Sequence, residues 1–159
     1  MIKVLFVCHG NICRSPMAEF VMKKLVADAG EEKAFSIDSA ATTREEIGNP
    51  VYPPARKKLA EHGIHQCDHR ARQMTRADYD AYDLIIGMDQ ENLRDMHRIA
   101  GGDSEEKIHL LLGYAGRPGD SVADPWYTRD FEATWQDVLA GCQGLLAQLR
   151  CHTAPSVVH

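Results

Sequence analysis

The segment IKVLFVCHGNICRSPMAE, residues 2–19, decides the fold prediction because a strand pattern runs directly into a helix start. Its first part, IKVLFV at 2–7, is an apolar run with β-branched residues, which is typical of a strand buried on both faces. Ser15 and Pro16 then favour a helix start, because serine caps helices and proline suits the first helical position. Apolar residues recur at helical spacing from Ala18 onward. The segment therefore predicts a strand–loop–helix unit.

The same alternation continues along the chain. Further strand patterns lie at 34–40, 82–88 and 107–112, and helical patterns begin at Pro53, near Thr75, behind Asp89 and at Phe131. Strands that alternate with helices form βαβ units with a parallel sheet. We therefore expect an α/β fold: a single-domain three-layer sandwich, with a four-stranded parallel sheet and helices on both faces. The domain is predicted to cover residues 1–152, with a flexible tail at 153–159.

Composition and charge narrow the class of protein. The chain has 159 residues, of which 44% are hydrophobic and 26% charged, as in soluble globular proteins. A net charge of −5 argues against a nucleic-acid partner. No apolar run reaches the roughly 20 residues that a membrane helix needs, so no membrane association is expected. The start MIKVLFV shows no secretory cleavage site and the five cysteines are an odd number, which together predict a cytoplasmic protein with free thiols.

The loop between the first strand and the first helix carries a pattern with chemical meaning. Cys8 and Arg14 bracket five residues, and Gly10 and Asn11 tolerate the left-handed backbone that a tightly curled loop needs. Inward-pointing N–H groups and the helix N-terminus would bind a tetrahedral anion, and the arginine fork suits two of its oxygens. The same groups stabilise a thiolate, and Ser15 is placed to donate a hydrogen bond to that sulfur. The loop predicts a cysteine nucleophile beneath a phosphate-sized pocket.

Phosphate-ester chemistry also needs an acid for the leaving group, and the best candidate lies in the long loop after the fourth strand. Asp124 in ADPWY belongs to the same edge of the predicted sheet, where ligands bind in such folds. Trp126 and Tyr127 offer an aromatic wall for a flat leaving group. Simpler interpretations remain at this point: Cys8 as a small buried apolar residue, the Asp-Pro pair as an ordinary turn, and Trp126 as a core residue.

Five motifs together resemble the low-molecular-weight protein tyrosine phosphatases: VCHGNICRSPMAE (7–19), IDSAAT (37–42), HRARQMT (69–75), DLIIGMD (83–89) and ADPWY (123–127). The resemblance implies a two-step mechanism without metal or cofactor. It implies Cys8 as nucleophile, Arg14 as phosphate clamp and Asp124 as general acid. The positions it implies for phosphate or substrate binding are His9, Gly10, Asn11, Ile12, Cys13, Ser15, Trp126 and Tyr127.

The resemblance also implies supporting residues. Asn11 matches an asparagine that shapes the loop through hydrogen bonds to a serine and a histidine, here Ser39 and His69. Without the resemblance, His69 would be interpreted as a surface polar residue. Cys13 matches a second loop cysteine that forms a reversible disulfide with the nucleophile on oxidation. One departure is Glu45, which stands about where the family often has an aromatic wall. The substrate slot is then either more open or selective for cationic surroundings.

The expected function is hydrolysis of phosphotyrosine and aryl phosphate monoesters through a phosphocysteine intermediate. The expected partners are phosphotyrosine-containing proteins, and the expected assembly is a monomer or weak homodimer. One alternative is a protein arginine phosphatase, disfavoured by Ile12, where that branch tends to have threonine. A second is a thiol-dependent arsenate reductase, which would need Cys67 or Cys142 to relay a disulfide. A third is a redox or metal-binding module built on Cys8 and Cys13.

Overall fold

Four parallel strands form the sheet, in the order β2-β1-β3-β4. In the computed structural model, residues 1–153 are described, with side chains through residue 150. The strands are β1 (Ile2–Cys8), β2 (Phe35–Ala41), β3 (Leu84–Gly87) and β4 (Ile108–Leu110). Val4 pairs with Ile37 on one side and Leu84 on the other. The first strand therefore occupies a central position, and residues 4–7 are fully buried, as its apolar run predicts.

Helices cover both faces of the sheet, which confirms the α/β prediction. They are α1 (Arg14–Asp28), α2 (Pro53–Glu61), α3 (Arg76–Ala81), α4 (Gln90–Ala100), α5 (Pro125–Thr128) and α6 (Phe131–Thr153). Val4 and Phe6 of β1 point into a core shared with α1, α2 and α6. Leu5 and Val7 point into a second core shared with α3 and α4. The alternation of one strand thus supplies both cores. None of the helices in the described range is long and apolar enough to span a bilayer.

Several predicted element ends differ from the structure, among them the ends of β3, of β4 and of the chain. The apolar run at 107–112 predicted one strand, but β4 ends at Leu110 and a 3₁₀ helix covers Leu111–Ala115. This turn packs against α6, where Gly144 has no space for a Cβ because the carbonyl oxygen of Tyr114 lies there. Leu111 is fully buried in the turn, as it would be in a central strand. Its hydrophobicity therefore does not distinguish a strand from a turn. At the chain end, α6 continues to Thr153, and the rest of the predicted tail lies outside the described residues.

The carboxyl edge of the sheet gathers four connecting segments. Residues 9–13 follow β1, residues 42–52 follow β2, Met88 and Asp89 follow β3, and residues 121–127 approach from beyond β4. The backbone N–H of Val122 donates to the carbonyl of Met88 at 2.8 Å, which ties the last of these segments to the edge. These segments line a cleft of about 530 Å³.

Candidate active site

The loop at residues 9–13 curls around the sulfur of Cys8. Asn11 has φ 60°, the left-handed conformation that the sequence indicated for this loop. Its backbone N–H donates to Cys8 Sγ at 3.3 Å, and Ser15 Oγ lies 3.0 Å from the same sulfur. Cys8 is 3% exposed and lines the base of the cleft. This surrounding of donors stabilises negative charge on the sulfur.

Ser15 differs from two of its three predicted roles, the helix cap and the lining of the phosphate pocket. It does not cap α1, which begins one residue earlier at Arg14 and has no side-chain cap. It also does not line the cleft, because its side chain is fully buried behind the loop. Its hydroxyl lies against Cys8 Sγ, as the sequence predicted, and accepts from Asn11 Nδ2 at 2.8 Å. Ser15 can therefore act on the sulfur but not directly on a ligand.

The Asn11 side chain connects the loop to the neighbouring strand. Its Nδ2 donates to Ser39 Oγ at 2.9 Å, and its Oδ1 accepts from His69 Nε2 at 2.7 Å. The backbone N–H of Arg72 adds a second donor to that oxygen at 3.2 Å. Asn11 is fully buried, so these contacts replace the hydrogen bonds it would make with water. The structure thus brings together the three residues that the resemblance linked.

A buried carboxylate that the sequence did not single out completes this network. Glu19 Oε1 accepts from Ser39 Oγ at 2.6 Å, and His69 Nδ1 lies 3.4 Å from it. Lys23 Nζ lies 2.6 Å from Glu19 Oε2. In sequence, Glu19 and Lys23 form an i,i+4 pair that is usually found on a helix surface, so no local signal marked Glu19 as buried.

The same region holds the one group of metal-type ligands found among the described residues. The ligand atoms of Glu19, Asp38 and His69 lie within 4.8 Å of one another. Lys23 pairs with the first carboxylate, and Arg72 Nη2 lies 3.6 Å from Asp38 Oδ2. Because these two cations already balance the carboxylates, the group fits a structural ion-pair network better than a metal site.

Arg14 reaches from the start of α1 to the far side of the cleft. Its Nη1 donates to Asp89 Oδ2 at 2.9 Å and to the Val122 carbonyl at 3.2 Å. Its Nη2 lies 3.4 Å from Asp124 Oδ2. Burial by itself lowers the pKa of Arg14, but the negative groups around it outweigh burial and raise this pKa overall. The guanidinium is therefore a fixed cation beside Cys8.

Asp124 is held at the cleft by the backbone of its own loop. It is the N-cap of α5, and its Oδ1 accepts from the N–H of Trp126 at 3.0 Å. The preceding Ala123 donates its N–H to Asp137 at 3.1 Å and accepts from Thr134 Oγ1 at 2.8 Å. These contacts to α6 hold the loop of Asp124 at the cleft that Cys8 also lines, at the sheet edge where the sequence predicted an acid.

Two exposed aromatic rings form one side of the cleft. Trp126 is 56% exposed and Tyr127 is 82% exposed, so the interpretation of Trp126 as a core residue is wrong. Tyr52, which the sequence did not indicate, lies beside Trp126 with ring centroids 5.5 Å apart. Its backbone N–H donates to the carbonyl of Ile12 at 2.9 Å. Tyr52 thus joins the 9–13 loop to the aromatic wall.

The remaining cysteines in the part of the chain with described side chains are free thiols with different surroundings. Cys13 lines the cleft, and burial together with the nearby Cys8 raises its pKa to about 12. Cys67 and Cys142 lie in the hydrophobic core and do not line the cleft. A disulfide relay through either of them, as an arsenate reductase would need, has no support in this arrangement.

Comparisons with known proteins identify the family of this chain. The family model of the low molecular weight phosphotyrosine protein phosphatases matches residues 3–154. The rat protein of that name is 44% identical over 147 residues, covering 90% of this chain and 92% of its own length. The crystal structure of YfkJ from Bacillus subtilis is 41% identical, with a TM-score of 0.91 and coverage of 96% and 97% of the two chains. The crystal structure of the Drosophila arginine phosphatase DARP is 31% identical, with a TM-score of 0.85 and coverage of 94% and 98%. The chain therefore belongs to the low molecular weight phosphotyrosine protein phosphatase family.

Proposed function

We propose that this chain is a protein tyrosine phosphatase that hydrolyses phosphotyrosine and aryl phosphate monoesters through a phosphocysteine on Cys8. The observation that carries the proposal is the position of the Cys8 sulfur, which contacts the Asn11 N–H and the Ser15 hydroxyl below a loop that also presents Arg14. Such donors and such a cation can stabilise a thiolate and a phosphate dianion in one site. A buried cysteine with only a structural role needs neither.

In the first step, the Cys8 thiolate attacks phosphorus, the sulfur–phosphorus bond forms and the bond from phosphorus to the phenolic oxygen breaks. Arg14 and the N–H groups of the 9–13 loop bind the non-bridging oxygens, whose charge they offset. Asp124 gives its proton to the leaving oxygen, since its carboxyl group lines the same cleft as the Cys8 sulfur. Trp126 and Tyr127 provide the wall for the leaving aromatic ring.

In the second step, water hydrolyses the phosphocysteine. The Asp124 carboxylate, now deprotonated, takes a proton from the attacking water, and the sulfur leaves as a thiolate. The Ser15 hydroxyl hydrogen-bonds this thiolate as its charge returns, at the 3.0 Å separation seen between the two atoms. Charge stabilisation comes from the chain's own guanidinium and amides, and the proposed mechanism uses no metal.

The second loop cysteine is proposed to protect the nucleophile. Peroxide would oxidise Cys8 to a sulfenic acid, and the Cys13 thiol would then displace water to form a disulfide. Mass spectrometry after peroxide treatment should show the Cys8–Cys13 linkage, and irreversible Cys8 sulfonic acid in the Cys13→Ser variant.

The proposed setting is the cytoplasm, with phosphotyrosine proteins as partners and a monomeric or weakly dimeric enzyme.

The test of the function is hydrolysis of p-nitrophenyl phosphate and of a phosphotyrosine peptide by the purified chain. Activity should persist with a chelator present and disappear in Cys8→Ser, while Cys67→Ser should retain it. Loss of activity on chelation, or retention in Cys8→Ser, would contradict the proposal.

A second candidate is a protein arginine phosphatase, favoured by the similarity to the Drosophila enzyme. Ile12 lines the cleft with an apolar side chain, which suits a phenyl ring better than a guanidinium. The comparison to make is kcat/KM for matched phosphoarginine and phosphotyrosine peptides, and the second candidate requires the phosphoarginine peptide to be the better substrate.

A further inference from the structure

Carboxylates stand on both sides of the cleft mouth. Glu45 and Glu46 follow β2, and Glu91 lies in the first turn of α4, behind β3. Because β1 lies between β2 and β3 in the sheet, these two segments flank the 9–13 loop from opposite sides. The mouth is therefore acidic on both approaches to Cys8.

The charge changes sign along the depth of the cleft. Among the described residues that line the cleft, Arg14, at the base, is the only lysine or arginine. Two carboxylates contact it, those of Asp89 and Asp124. At the mouth, the Glu45 side chain is 67% exposed and Glu91 is exposed as well. A bound phosphotyrosine would place its phosphate at the cationic base and its peptide backbone at the acidic mouth.

The contacts of the mouth carboxylates leave their negative charge largely available. Glu45 Oε2 lies 3.0 Å from His9 Nε2, and this histidine brings a positive charge only when protonated. Glu46 accepts from the neutral amide of Asn49 and packs over the loop beside Gly10. Neither contact supplies a permanent cation, so a cationic group on the substrate would find an unbalanced carboxylate on the β2 side. On the β3 side, no ion pair of Glu91 is found among the described residues.

We propose that Glu45, Glu46 and Glu91 make this enzyme select phosphotyrosines that have lysine or arginine close to them in sequence. The inference rests on the proposed phosphatase function and names its substrate class. Cationic flanks gain attraction at the mouth, whereas acidic flanks are repelled, and repulsion of the wrong partner contributes to specificity as much as attraction of the right one. Since each contact is exposed and screened, the combined preference should be roughly threefold to tenfold in kcat/KM.

The experiment compares three phosphotyrosine peptides that differ only in their flanking residues: lysine, glutamine or glutamate. In the wild type, kcat/KM for the lysine peptide should be roughly threefold to tenfold higher than kcat/KM for the glutamate peptide. This ratio should fall towards one in the Glu45→Gln, Glu46→Gln, Glu91→Gln triple variant. It should also shrink between about 0.05 M and about 0.5 M salt, because surface electrostatic interactions are screened. This salt series needs no variant and keeps the test valid if the triple variant does not fold.

The matched control is Glu32→Gln, an exposed carboxylate that precedes β2 at the opposite edge of the sheet. It should leave the ratio at the wild-type value. Equal kcat/KM for the three peptides, or a lysine preference that survives the triple substitution or high salt, would overturn the inference while leaving the phosphatase function intact. Absence of Cys8-dependent hydrolysis of p-nitrophenyl phosphate would instead overturn the proposed function.

Discussion

The Nη1 atom of Arg14 lies 2.9 Å from Oδ2 of Asp89, although 75 positions separate the two residues in the chain. The other oxygen of Asp89 accepts from the N–H of Asn92 at 2.7 Å and thereby caps α4. The Asp89 carboxylate thus caps α4 on one face of the sheet. It also orients the side chain of Arg14, the first residue of α1 on the other face. Because an arginine side chain is flexible, this anchoring reduces the entropy lost when a phosphate binds.

Substitution of Asp89 should separate these two roles. Asp89→Asn keeps a good N-cap but removes the charge, so kcat/KM for p-nitrophenyl phosphate should fall roughly tenfold with little change in stability. Asp89→Ala also loses the cap and should lower the free energy of unfolding by a further ~1 kcal/mol. Urea denaturation and steady-state kinetics measure the two effects, and an unchanged kcat/KM in Asp89→Asn would show that Arg14 is held well enough without the ion pair.

Replacement of Asp124 should depend on the leaving group. Asp124→Asn removes the proton donor, and turnover of phenyl phosphate should fall by roughly 10²–10⁴. An ester whose phenol is more acidic needs less protonation, so its turnover should fall less. Turnover measured across phenols of different pKa gives the slope of this dependence, and a slope equal to that of the wild type would rule out Asp124 as the acid.

The raised pKa of Cys13 predicts selective modification of the two loop cysteines. Burial and the neighbouring Cys8 raise the pKa of Cys13 to about 12, so near neutral pH this thiol is predominantly protonated and reacts slowly with alkylating reagents. Iodoacetamide near pH 7 should therefore label Cys8 and leave Cys13 unmodified. Peptide mapping by mass spectrometry detects the site, and inorganic phosphate should slow the labelling because it occupies the same loop. Labelling of Cys13 before Cys8 would contradict this assignment.

Ser39 connects two buried polar groups, and its removal should be costly. Ser39→Ala leaves Asn11 Nδ2 and Glu19 Oε1 each without one hydrogen-bond partner. Loss of a partner from a buried polar group costs about 1–3 kcal/mol of unfolding free energy. Ser36→Ala, on the same strand but only partly buried, is the matched control and should change stability by less than about 0.5 kcal/mol. Equal effects in the two variants would mean that the network does not stabilise the fold.

Tyr52 should influence substrate binding through Trp126. Tyr52→Phe keeps the ring contact and should behave like the wild type, whereas Tyr52→Ala removes it and should raise KM for aryl phosphates about two- to tenfold, since an aromatic pair contributes ~0.5–1.5 kcal/mol. Tryptophan fluorescence provides an independent measurement, because Trp126 is exposed and Trp135 is buried. An unchanged KM in Tyr52→Ala would show that Trp126 keeps its position by itself.

The sequence alone was sufficient for the parallel α/β architecture and for the placement of Cys8, Asn11, Arg14 and Asp124 around one cleft. These predictions succeed because they depend on local rules: an apolar strand, a short loop that needs a left-handed residue, and a topology that brings parallel strand ends to one edge. Only the tertiary structure decided the roles of Glu19 and Tyr52 and the contact of Asp89 with Arg14. It also decided that a turn follows β4. The physical reason is that burial and hydrogen-bond partners arise between residues distant in the chain. A glutamate on a helix or a tyrosine before a proline looks the same in sequence whether its side chain meets water or the site.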